Sequence, residues 1–180
     1  MRASEAEVSS SRRWAGARKW AVTAGATAVS TYALDALATA AGLLLAASHL
    51  LSGLDQGLLL ALLAATYVAW GAGLRVNLQA NWALLERTGT STNVFSKAAY
   101  DLARLRPASV RTQRFASAAG YLGTELAKEA PHYAGAFGAV FLTDSVSSAD
   151  ALIFLAGTNL GAAAYEYGLG RVTRAFLKSR

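Results

Sequence analysis

The chain has 180 residues, a formal net charge of +6, no cysteine and only 16% charged residues. Soluble domains carry roughly 25% charged residues. The missing cysteines exclude a disulfide framework and a thiolate metal site. No recognition motif accompanies the positive charge, so no nucleic-acid partner is expected.

Residues 1–13 are polar and read as a disordered cytoplasmic tail, followed by a single membrane domain over 14–180. A long first helix is expected from about residue 15 to residue 51. The stretch from 36 to 54 holds 19 residues without Asp, Glu, Lys or Arg. That length suits a spanning helix, which needs roughly 20 mostly apolar residues. The hydrophobic stretch beginning near Trp20 outruns the core of a signal peptide and contains Asp35, so it reads as retained. A turn at "SGLDQG" leads to a second helix, whose stretch 56–74 is another 19 residues free of charge. Gly89 is placed to stop it.

The segment 93–106 alternates as an amphipathic helix. Val94, Phe95, Ala98, Ala99, Leu102 and Leu105 follow helical spacing, with Lys97, Asp101 and Arg104 on the other side. Ser91, Thr92 or Asn93 can cap its start, and Pro107 ends it. It reads either as a helix on the inner membrane surface or as a connector packed on the bundle base. Ser109 caps a third long helix reaching Thr143, and a fourth runs from about 149 to 177. Their uncharged cores, 130–143 and 151–165, are shorter.

Lys and Arg cluster near the N-terminus, between 87 and 114, and near the C-terminus, whereas the two remaining connections carry only Asp. Basic loops stay on the cytoplasmic side. The expected fold is therefore all-α: a polytopic membrane protein with four transmembrane helices in a bundle plus one cytoplasmic-face amphipathic helix. The spans are placed at about 30–51, 56–76, 124–143 and 150–170, with both termini in the cytoplasm of a cell. Anionic lipids of the inner leaflet are the expected bilayer partners. "ARKWAVTAG" resembles "TQRFASAAG", and "AGLRV" resembles "GLGRV", at offsets of 95 and 96 residues. These matches raise the alternative of a two-fold internal repeat. Small-residue stripes occur at Ala61, Ala65, Ala69 and Gly73 and in "GTNLG" (157–161). They suit close helix packing within the chain, with a homo-oligomer seam as the alternative.

The candidate site lies in "GTELAKEAPHYAG". Glu129 precedes Asp144 by 15 residues, a rise of about 22 Å along a helix. The same arithmetic from the turns places Glu166, Asp35 and Arg75 at comparable depth. Ionisable residues so far inside a membrane face a bundle interior or a wet cavity. Glu125, Lys128, Glu129, His132, Glu166, Asp35, Arg75, Asn77 and Asn159 are therefore expected to line a polar vestibule open to the cytoplasm. The function this implies is transport of a small ion or polar solute, as a carrier or channel subunit. The alternative is a non-catalytic subunit that assembles with other membrane proteins. A membrane-embedded lipid-modifying enzyme ranks below both, because no catalytic constellation is complete. No metal and no cofactor are expected. Glu129 and His132 have the Glu-x-x-His spacing of a di-iron bundle, but no second copy exists.

Overall fold

In a computed structural model, the backbone is described for residues 5–105 and 107–179, and side chains from residue 13 onward. These residues form five helices and no strand: α1 (Glu5–Ala47), α2 (Gln56–Thr88), α3 (Val94–Arg104), α4 (Val110–Leu142) and α5 (Ser148–Lys178). Helix α1 starts within the segment expected to be a disordered tail, and residues 1–4 of that tail lie outside the described residues. Good helix formers explain the extension: Glu5, Ala6 and Glu7 all favour helix intrinsically.

The helix ends follow local chemistry. Gly89 takes the left-handed conformation (φ 70°) and donates its N–H to Leu85, closing α2. Asn93 and Ser109 cap α3 and α4 through their side chains. Ser147 and Asp150 form a reciprocal capping box on α5. Helix α4 continues through Pro131, which has no N–H to offer the carbonyl of Ala127.

Helix α5 lies between α1 and α2, packs along both, and touches α4 more lightly. Glycine makes these approaches close. A Cβ at Gly157 would lie 2.7 Å from the Ala41 carbonyl oxygen, and one at Gly161 would lie 2.8 Å from Ala38 Cα. The "GTNLG" motif thus seats α5 on α1 within one chain. Gly73 and Gly170 do the same between α2 and α5. The other stripe is corrected: Gly73 is buried, but Ala61 and Ala65 are exposed. At that level Leu59 and Thr66 face inward, and Ala65, one residue from Thr66, lies about 100° away from it around the helix. The buried stripe of α2 instead runs Leu59, Thr66, Trp70, Gly73, Asn77, Ala80, Leu84.

A repeat relating α1–α2 to α4–α5 would make the α1–α5 and α2–α4 contacts equivalent. They are not: α1 packs extensively on α5, while α2 meets α4 only lightly. Among the described residues two helical segments, Arg13–Ala47 and Gln56–Thr88, are long and apolar enough to cross a membrane. Helices α4 and α5 fall outside that measure. Helix α4 concentrates Glu125, Lys128, Glu129 and His132 near its centre, and α5 carries Asn159 and Glu166.

Candidate functional site

Four residues of α4 recur at four-residue spacing and are all buried: Ser117, Tyr121, Glu125 and Glu129. Lys128 and His132 flank them on the next turn. This face is polar for most of its length, so hydrogen bonds and charge pairs join it to the bundle.

The lowest layer, near the basic ends of the helices, centres on Asn81. Its side-chain oxygen accepts from Ser91 Oγ (2.6 Å), the Thr92 backbone N–H (3.0 Å) and Thr92 Oγ1 (3.2 Å). Its amide donates to Ser96 Oγ, which in turn lies 2.7 Å from Ser117 Oγ. The Ser91 N–H donates to Thr23 Oγ1 on α1. The connection 89–93 is therefore not a surface loop. Ser91 and Asn93 are each 1% exposed, and side chains compensate the buried backbone.

The next layer joins three helices. Asn77 Nδ2 donates to Glu166 Oε2 (2.6 Å) and to Tyr121 Oη (2.7 Å). Lys128 Nζ pairs with Glu125 Oε1 at 2.8 Å, and Asn93 donates weakly to the same oxygen at 3.5 Å. The Glu125 and Glu166 carboxyl groups are close enough to interact electrostatically. Above them, Glu129 Oε2 lies 3.5 Å from His132 Nδ1, beyond a good hydrogen bond. His132 Nε2 lies 3.0 Å from Thr39 Oγ1 on α1. Asp35, one turn before Thr39, is within electrostatic reach of Glu129. The outermost layer is Tyr133 donating to Asn159 Oδ1 (3.0 Å) and Asn159 donating to Thr66 Oγ1 (3.2 Å).

These layers form one polar column. From Asn81 to Thr66 it rises 15 residues, about 22 Å. Beyond Thr66 the interior turns apolar, with Leu59, Leu152, Ile153 and Leu155 buried toward the Ser48–Asp55 turn. Eight of the nine expected site residues lie in this column: Glu125, Lys128, Glu129, His132, Glu166, Asp35, Asn77 and Asn159. Five of them, Asn77, Glu125, Glu129, Asn159 and Glu166, are buried, and Asp35, Lys128 and His132 are partly buried. Arg75 is the exception. It is exposed on a groove between α2 and α4, because α2 turns its Thr66–Asn77–Asn81 face inward.

The sequence reading missed Tyr121, Ser117, Ser96 and Asn93. Tyr121 and Ser117 precede Glu125 by four and eight residues, so helical spacing alone could have found them. Asn93 was assigned only a cap, and its side-chain oxygen does cap α3.

The charge balance is uneven. Four carboxyl groups, Asp35, Glu125, Glu129 and Glu166, share the column with Lys128 and His132. Glu125 Oε2, Glu166 Oε1, Asn77 Oδ1 and both Glu129 oxygens have no hydrogen-bond donor among the described residues. Nearly all the unpartnered atoms are acceptors. No group of three or more His, Cys, Asp or Glu among the described residues is arranged to hold a metal ion. No protein family model, curated protein or solved structure matches the chain.

Proposed function

We propose that this chain is a four-span integral protein of a cell membrane, both termini cytoplasmic, and that it carries a small cation through the column around Glu129. Side-chain placement supports the membrane part. Val29, Tyr32, Leu44, Val68, Phe141 and Leu142 are each at least 70% exposed, while Asn77, Asn81, Asn159 and Glu166 are at most 1% exposed. Helix α3 repeats the inversion: it buries Ser96, Lys97 and Tyr100 and leaves Phe95, Leu102 and Leu105 outside. In water this arrangement would leave apolar surface wet and bury polar groups at cost. In lipid it is favourable, and the inward polar groups hold the helices together where lipid offers no hydrophobic drive.

The transport part rests on one observation. Glu129 is a buried carboxylate whose two oxygens lack a hydrogen-bond donor among the described residues. A carboxylate kept for architecture would have its donors, as Glu125 has Lys128. A charge in hydrocarbon without such donors is a functional candidate. The neighbouring acids make the column attractive to cations. Two facing carboxyls, as at Glu125 and Glu166, repel unless a proton or cation lies between them. The apolar closure beyond Thr66 fits a carrier that opens alternately better than an open channel.

One feature favours the assembly reading. The polar face of α4 is also its attachment, and its apolar residues Phe115, Leu122, Leu126 and Phe137 face outward. They offer a surface to a second copy or another membrane subunit. Flux separates the two readings. Protein reconstituted in vesicles should move protons or a monovalent cation down an imposed gradient, and Glu129→Gln should abolish that flux. Absence of flux from well-folded wild-type protein rejects the carrier in favour of assembly.

A further inference from the structure

Helices α2 and α4 leave a groove of about 240 Å³ between them, lined by Gly71, Leu74, Arg75, Leu78, Trp82, Arg114, Ala118 and Leu122 among others. Two features make it more than a packing gap. Its wall is apolar at Gly71, Leu74 and Leu78 on one side and at Ala118 and Leu122 on the other. It is also lined by two guanidiniums that pair with no carboxylate among the described residues: Arg75 has no hydrogen bond or ion pair there, and Arg114 only sits 5.8 Å over the Trp82 ring. A third, Arg174, donates to Gln79 Oε1 at 2.7 Å, beside the same groove.

We infer that this groove binds one anionic phospholipid, with an acyl chain along Gly71, Leu74 and Leu122 and the phosphate on Arg114 and Arg75. The apolar wall excludes water, and the small residues Gly71 and Ala118 leave room for a chain segment. The volume is too small for a whole lipid, so the head group must lie outside the apolar wall, within reach of Arg75 and Arg114. Arg75 sits seven residues, about 10 Å, along α2 from Trp82, and its long side chain can reach toward the surface. Basic pockets between spanning helices on the cytoplasmic side select anionic head groups. The inference gives Arg75 a role outside the carboxyl column. It rests on the membrane reading and not on the transport reading.

The test compares retention of phosphatidylglycerol and phosphatidylcholine by the full chain in detergent, read by native mass spectrometry. Wild type should retain phosphatidylglycerol preferentially, and Arg75→Gln/Arg114→Gln should lower that preference by roughly 30-fold. Gly71→Leu should weaken retention of both lipids. A Cβ at Gly71 meets nothing within 4 Å, so this change fills the groove without disturbing the backbone. Arg13→Gln/Lys178→Gln removes two exposed charges elsewhere and should leave the preference intact. Lack of preference in wild type overturns the inference. So does a preference that survives the Arg75/Arg114 change, or one lost equally with Arg13/Lys178, which would mark diffuse surface charge. Recovery of the chain from cells without detergent would instead reject the membrane reading itself.

Discussion

Asn77 and Glu166 approach to 2.6 Å between Nδ2 and Oε2, and the same amide reaches Tyr121 Oη at 2.7 Å. One side chain of α2 therefore holds α5 and α4 together at a level where both partners are fully enclosed. Gly170 makes this contact geometrically available, since a Cβ there would lie 2.9 Å from the Asn77 backbone.

Replacing Asn77 by Ala removes the donor that Glu166 and Tyr121 share, and leaves Glu166 Oε2 only the long bond from the Tyr121 hydroxyl at 3.4 Å. A buried group left unsatisfied costs about 1–3 kcal/mol, more if charged. Asn77→Ala is expected to destabilise the protein in detergent by at least that amount. Asn77→Asp removes the donor and adds a carboxyl beside Glu166, so it should be worse. Thermal unfolding should rank wild type above Asn77→Ala and Asn77→Ala above Asn77→Asp. If Asp equals or exceeds Ala, Glu166 does not present a charge to position 77.

Helix boundaries were legible because they depend on neighbours in sequence. Gly89, Asn93, Ser109 and Ser147 each cap or close a helix through contacts within a few residues. The crowding of Glu125, Lys128, Glu129 and His132 on α4 was visible for the same reason. Which helix lies next to which was not. Gly157 and Gly161 find α1, while Ala61 and Ala65 find nothing, and both patterns look alike as small-residue spacing. Arg75 shares its depth with Glu166 by counting residues, but depth does not give the direction around the helix. The burial of Ser91 and Asn93 depends on Thr23 and Glu125, which are 68 and 32 residues away.

The small-residue contrast is measurable. Gly161→Ala places a Cβ 2.8 Å from Ala38 Cα and from the Leu37 carbonyl oxygen, where backbone cannot yield cheaply. Overpacking of this kind typically costs about 1–3 kcal/mol. Gly135→Ala meets nothing within 4 Å and should gain up to about 1 kcal/mol from helix propensity. Opposite shifts in unfolding temperature would establish the α1–α5 seam. Equal tolerance of both changes would place α5 elsewhere.

Topology can be read with single cysteines, because the chain has none of its own. Ser52 and Ser145 are exposed in the two Lys- and Arg-free turns, and Ser179 is exposed at the basic end. In intact cells an impermeant thiol reagent should label Ser52→Cys and Ser145→Cys but not Ser179→Cys. Disrupting the cells should expose Ser179→Cys. Ser96 would be a poor reporter, since it is fully buried between Asn81 and Ser117. Labelling of Ser179→Cys in intact cells would reverse the orientation, and labelling of one turn alone would break the four-span arrangement.

Glu129 offers the sharpest separation between architecture and transport. Its oxygens have no donor among the described residues, where the nearest basic atom is His132 Nδ1 at 3.5 Å. An amide of the same shape therefore loses little that holds the fold, and it removes a buried carboxyl that stands near the acids Asp35 and Glu125. Glu129→Gln should leave the unfolding temperature unchanged or raised. Glu125→Gln should lower it, because Lys128 would be left buried without its acid, and breaking a buried pair costs about 3–5 kcal/mol. In vesicles, Glu129→Gln should lose cation flux although it folds at least as well as wild type. A residue that merely stabilised the bundle would give the reverse pattern, with flux falling only as stability falls. Wild-type flux that persists undiminished in Glu129→Gln would remove this carboxylate from the transport path and leave the column as the polar attachment of α4.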